Sequence, residues 1–228
     1  MSSGKYFADI HIHPTIKTFN SGHPHPRKNL WEDFEHVIGK TNLAKFALNS
    51  TPGLGKYSQT NFYELAKGNV RVATASLYPF EKGFLNIRNI PNLAVSRKAH
   101  DEMLEIISGY TADSIKHMRD TNNYFADLQE EYRYLYENQG TSPDGNYAYK
   151  VVNNYSELNN VLEKDDTTIA IIVSIEGSHV LFDEEMSQGK LTPTQMKKRL
   201  EKNIGAIKSW EAPPLTVNLS HHFYKNKT

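Results

Sequence analysis

The chain has 228 residues, with 26 Lys plus Arg balanced by 26 Asp plus Glu, so no global field draws it to nucleic acid or to an anionic membrane. It contains no cysteine, which excludes disulfides, Cys-rich zinc modules and thiol nucleophiles and leaves His and carboxylate as ligands for any transition metal. At 38% hydrophobic and 23% charged it has an ordinary globular composition, enough for one large domain or two small ones.

The N-terminus, MSSGKYFADI, lacks the basic segment and apolar core of a signal peptide, and no apolar run approaches the roughly 18 residues of a membrane helix. A cytoplasmic location without a membrane segment is therefore expected. The first β-rich run is Tyr6–His13. Residues i and i+2 of a strand share a face, so Asp9, His11 and His13 should point one way and Ala8, Ile10 and Ile12 the other. This predicts a buried strand whose second face ends in two convergent imidazoles. Either the pair holds a metal, with Asp9 as a supporting partner, or it is two polar residues at a strand mouth.

A Pro- and Gly-punctuated excursion, residues 14–58, follows the first run. Long loops at the C-terminal ends of strands are where α/β proteins keep their sites. Its SGHPHPRK segment (His23, His25) looks like a metal tract, but each His precedes a Pro in a loop. GLGKYS falls short of a phosphate loop because Tyr57 stands where Ser or Thr is required. His36, His100 and His117 are isolated in helical or loop stretches, where surface or packing roles are expected.

NFYELAKG reads as a helix stopped by Gly68, ahead of a second strand over Val70–Tyr78. The stretch from about Asn92 to Asn138 is helical in character, NQGTSPDGNYAY is a turn-rich loop, and YSELNNVLEK is a helix with Ser156 as its cap. The third run, Ile169–Ile175, is apolar on both faces, as expected of a parallel strand covered on both sides. Glu176 and Gly177 follow at once. A carboxylate buried there without a partner costs on the order of several kcal/mol, and a cation would supply the partner; the plainer alternative is a solvated loop Glu. His179 is expected in the loop beyond.

TPTQMKKRLEKNIGAIKSW predicts a helix capped by Thr192 with Pro193 first, its inner face carrying Met196, Leu200, Ile204 and Ile207. The last run, Leu215–His221, ends in His221 and His222, only one of which can easily face a site. Strands alternating with helices predict a parallel α/β sheet with right-handed crossovers. A serine hydrolase is disfavoured, because no Gly-x-Ser-x-Gly elbow is present.

Taken together, DIHIHP, SIEGSH and LTVNLSHH resemble the amidohydrolase superfamily, and within it the membrane (renal-type) dipeptidase family of zinc metallopeptidases. LAKGNVRVATASLYP is similar to that family's second helix–strand unit. The resemblance spans most of the chain through short motifs, with a divergent region between Glu81 and Tyr155. It implies one partial domain over 1–228, the N-terminal half of a TIM-type β/α barrel. Its four strands would lie near 6–13, 70–78, 169–175 and 215–221, with a helical insertion at about 92–138. It also implies one or two divalent ions, zinc above all, on His11, His13 and Glu176, with Glu176 bridging and catalytic and His221 contacting substrate and steadying the oxyanion. The implied substrate is a dipeptide or related small amide. Two departures stand out. The family has H-x-D where this chain has His13 second, and it completes eight strands where this chain stops after the fourth. The expectation is the first half of a longer protein, or a half that pairs with a completing half or another copy. The alternative to an enzyme is a non-catalytic half-barrel that associates with another chain.

Overall fold

A computed structural model of the chain describes residues 5–16, 18–19, 29–32, 60–82 and 112–219. Among these, β1 (Phe7–Ile12), β2 (Val70–Leu77), β5 (Thr168–Glu176) and β6 (Thr216–Asn218) run parallel in that spatial order. A hairpin of β3 (Gly140–Thr141) and β4 (Ala148–Val151) joins the same sheet. β4 pairs with Thr168–Ile171 and β6 with Ser174–Glu176, so the two share the edge of β5 that β2 leaves open. The helices are α1 (Phe62–Lys67), α2 (Ala112–Asp120), α3 (Tyr124–Glu137), α4 (Tyr155–Lys164), α5 (Glu184–Ser187) and α6 (Pro193–Lys208). None is long and apolar enough to cross a membrane.

The strand–helix alternation gives an α/β sheet that is mostly parallel, as the sequence predicts, with the antiparallel β3–β4 pair as the exception. β5 is its centre: Ile169, Ala170, Ile171, Val173 and Ile175 are all at most 1% exposed, as a strand apolar on both faces requires. Ala73, Ala75 and Leu77 of β2 pack beside them, and Trp31, Phe62 and Tyr149 close one side, with the Phe62 and Tyr149 rings 4.4 Å apart. Gly68 ends α1, and Asn61 caps its start by accepting from the Glu64 N–H. At α6, Thr192 and Gln195 form a reciprocal capping box with Pro193 in the first turn.

Several expectations need correction. The cap of α4 is Asn154, not Ser156; Asn154 has the extended backbone a cap requires, and its side chain accepts from the Glu157 N–H. On α6 the inward stripe runs through Met196, Leu200, Asn203 and Ile207, while Ile204 is 39% exposed. At 100° per residue Ile204 stands about 80° round from Met196, at the stripe's edge. The stretch read as a turn-rich loop contains the β3–β4 hairpin. Its turn is tied by Ser142 and Asp144, and Tyr149 is buried with its hydroxyl donating to Leu135 O. Within the helical insertion lie α2, from Ala112, and α3, from Tyr124; residues 83–111 lie outside the described set.

β1 departs furthest from expectation. Asp9 pairs with Ala73 but Ile12 pairs with Ala75, so two residues of β1, Ile10 and His11, oppose one of β2, Thr74. Such a bulge breaks the strict alternation and re-aims side chains. Ile12 is in the core, but Ile10 is 84% exposed, and among the described residues β1 is an edge strand and not a buried one. The opposite edge also bears apolar side chains, Leu215, Val217 and Leu219.

Candidate metal centre

The C-terminal ends of three adjacent parallel strands make the site. β1 delivers His11 and His13, β5 ends in Glu176, and β2 between them carries Ser76. Directly after Glu176 the chain turns at Gly177, where φ is +87°, a conformation L side chains rarely adopt. The Gly177 N–H donates to Asn218 O at 2.7 Å, which ties this turn to β6.

Three donor atoms converge. His11 Nε2 and His13 Nε2 are 3.1 Å apart, and Glu176 Oε2 lies 3.2 Å from the first and 3.0 Å from the second. Metal bonds of about 2.0–2.1 Å in a tetrahedron place neighbouring ligand atoms about 3.3 Å apart. The observed triangle is close to one face of such a tetrahedron. Glu176 is buried, His13 partly buried, and the His11 side chain 49% exposed.

Proton placement favours the same conclusion. His13 Nδ1 is 2.9 Å from Ser76 O. A carbonyl only accepts, so Nδ1 carries a proton, and whenever the ring is neutral Nε2 then presents a lone pair. His11 Nδ1 is 3.1 Å from Ser76 Oγ, which is 2.6 Å from Ser174 Oγ. Donation from Nδ1 to Ser76, then from Ser76 to Ser174, puts a lone pair on His11 Nε2 too. Two imidazole lone pairs and a carboxylate oxygen then face one another, an arrangement that a cation stabilises.

Of the residues expected at the site, the structure brings together His11, His13 and Glu176. Asp9 does not support the imidazoles; beyond the bulge its carboxylate accepts the His11 backbone N–H at 3.1 Å. His221, His222, His23 and His25 lie outside the described residues. His179 is in a short 3-10 turn, Ser178–Leu181, with Nε2 2.9 Å from Pro79 O and its ring against Tyr78 and Tyr124.

Sequence reasoning missed Ser76, Ser174 and Tyr78. The two serines are register partners on β2 and β5 and are both buried. Tyr78 sets its ring 6.1 Å from that of His13, and burial, with Glu81 and Glu176 nearby, holds its phenol well above the ordinary tyrosine range. Ser76→Ala deletes the His11 partner while keeping the carbonyl that holds His13. It is expected to weaken zinc binding roughly tenfold with an unchanged circular dichroism spectrum. Wild-type affinity in a chelator-competition titration would contradict this.

Behind the site, Glu131 of α3 is 2% exposed, and burial pushes its carboxyl up to about 8, with Asp127 adding to the shift. The fold thus favours the protonated form. The stability this gives is complete below the ordinary carboxyl range and is lost as pH rises through about 8. Glu131→Gln, which cannot ionise, is expected to match the wild type near pH 4 and to melt at a higher temperature above pH 8. A variant less stable than the wild type at pH 9 would contradict this.

No family model, curated protein or solved structure matches the chain.

Proposed function

We propose that the chain is a metal-dependent hydrolase of amide bonds, dipeptidase-like, built on the first four strands of a TIM-type β/α barrel. The observation that carries this reading is the convergence of His11 Nε2, His13 Nε2 and Glu176 Oε2 at near-tetrahedral spacing. Parallel β/α sheets hold their chemistry at the C-terminal ends of the strands, where these three residues lie. Two imidazoles and one carboxylate suit zinc, which when bound supplies an acidified water and polarises a carbonyl.

This chain's own residues bind and orient. Ser76 holds Nδ1 of both His11 and His13, which leaves each Nε2 turned toward the Glu176 carboxylate. The same Glu176 oxygen faces both imidazoles, which favours one ion on three ligands. Bridging to a second ion would engage Oε1 and donors outside the described residues. The resemblance assigns His221 to the substrate carbonyl, where a preorganised donor lowers the barrier to tetrahedral oxyanion formation.

The apolar side chains exposed on β1 and β6 favour a second reading, a half-barrel whose role is association. One experiment separates the two. The zinc-loaded chain is assayed against a panel of dipeptides across a range of protein concentrations, beside His13→Ala. Hydrolysis that His13→Ala abolishes supports the enzyme. Zinc uptake without hydrolysis at any concentration rejects it.

A further inference from the structure

We propose that Glu131 is a positioning residue of the metal centre, a clamp that fixes His13 by tying the segment after β1 to the segment after β2. The inference rests on the metal-site reading above. Glu131 Oε1 lies 2.5 Å from Thr15 Oγ1, and Oε2 accepts the Tyr78 backbone N–H at 3.0 Å. Thr15 is two residues beyond His13. Tyr78 is two residues beyond Ser76, whose carbonyl receives the His13 Nδ1–H. A single carboxyl group therefore holds both the segment that bears the imidazole and the segment that bears its acceptor.

The strand ladder does not hold His13 in this way. The last β1–β2 pair is Ile12 with Ala75, so His13 and Ser76 lie one step past it, and the bulge has already loosened the register before it. Thr60 Oγ1 donates to the His13 carbonyl at 3.2 Å, which holds the backbone there, and Glu131 adds a tie between this segment and the one that bears Ser76. The clamp comes from α3, a third element docked across both ends.

Its placement is costly, which argues against a passive role. Glu131 lies on the buried face of α3 with Phe125, Leu128, Tyr132 and Leu135. An apolar side chain there would avoid the desolvation of a carboxyl group. The two bonds it makes are both to site-bearing segments and to nothing that α3 needs for its own helix. Beside it lies a cavity of about 20 Å³ lined by Thr15, Tyr78, Phe80, Met118, Asp127 and Glu131. That is room for about one water, so truncation at 131 leaves space that water can enter.

The test reads zinc affinity by competition with a chromophoric chelator, and ligand geometry by the visible spectrum of the cobalt-loaded chain. Both are measured for the wild type, Glu131→Ala, Glu131→Gln and Thr15→Val. Glu131→Ala is expected to weaken zinc binding about 10- to 100-fold and to alter the cobalt bands, with thermal unfolding still cooperative. Glu131→Gln can keep both contacts, its amide oxygen accepting the Tyr78 N–H and its NH2 donating to Thr15 Oγ1, and is expected to stay within about threefold of the wild type, while Thr15→Val falls between. Wild-type affinity in Glu131→Ala and Thr15→Val overturns the clamp and leaves the metal centre standing; so does a Glu131→Gln as weak as Glu131→Ala. If Glu131→Ala does not fold, Thr15→Val decides: a loss of affinity supports the clamp, and no loss overturns it. A wild-type chain that takes up neither ion overturns the metal centre, and the clamp with it.

Discussion

Glu176→Ala is expected to lower the zinc affinity of the chain by at least about 100-fold, more than the loss of an outer-shell partner costs. It removes the only carboxylate of the triad and leaves two imidazoles 3.1 Å apart. Thermal melts with and without zinc check this. Zinc should raise the melting temperature of the wild type, as any ligand of the folded state does, and leave that of Glu176→Ala where it was. A variant that keeps the zinc-dependent rise would remove Glu176 from the site.

Ile171→Ala carries the largest expected cost to stability. Ile171 is fully buried, midway along β5, in register with Ala73 of β2 on one side and Val151 of β4 on the other. Its carbonyl also receives the Val152 N–H at 2.9 Å. Its side chain stands on a face of the sheet within the core, and strands held in register on both sides cannot shift to close the space that truncation would leave. Losses of about 3–5 kcal/mol are typical when large aliphatics are cut back to alanine at such sites. For a chain of this size that is a drop in melting temperature of roughly 10 °C. Urea unfolding should show the midpoint falling with an unchanged slope. A loss under about 1 kcal/mol would mean that β5 is not the centre of the core.

The site's outline is legible in the sequence because each strand end joins an apolar run directly to a chemistry-bearing residue. IHIH and IVSIE place the three donors without knowledge of the fold. The alternation rule fails for Asp9, because the bulge between Asp9 and Ile12 has no Gly or Pro to mark it. Ser76 is a small residue in an apolar strand, and it meets Ser174, 98 residues away, only through the register of β2 against β5. Glu130 and Glu131 read alike as the charged face of a helix. Only the docking of α3 makes one partly buried and the other a contact of Thr15 and Tyr78. The β3–β4 hairpin is hidden for a different reason. Its strands are so short that their two-residue period is lost among the turn residues between them.

Whether His11, His13 and Glu176 hold one divalent ion among them is read from X-ray absorption at the zinc edge of the zinc-loaded chain. The expected spectrum shows one zinc per chain, two imidazole ligands and at least one oxygen, all at about 2.0–2.1 Å, with one imidazole lost in His13→Ala. A spectrum without imidazole scattering, or one that His13→Ala leaves unchanged, would contradict the metal centre.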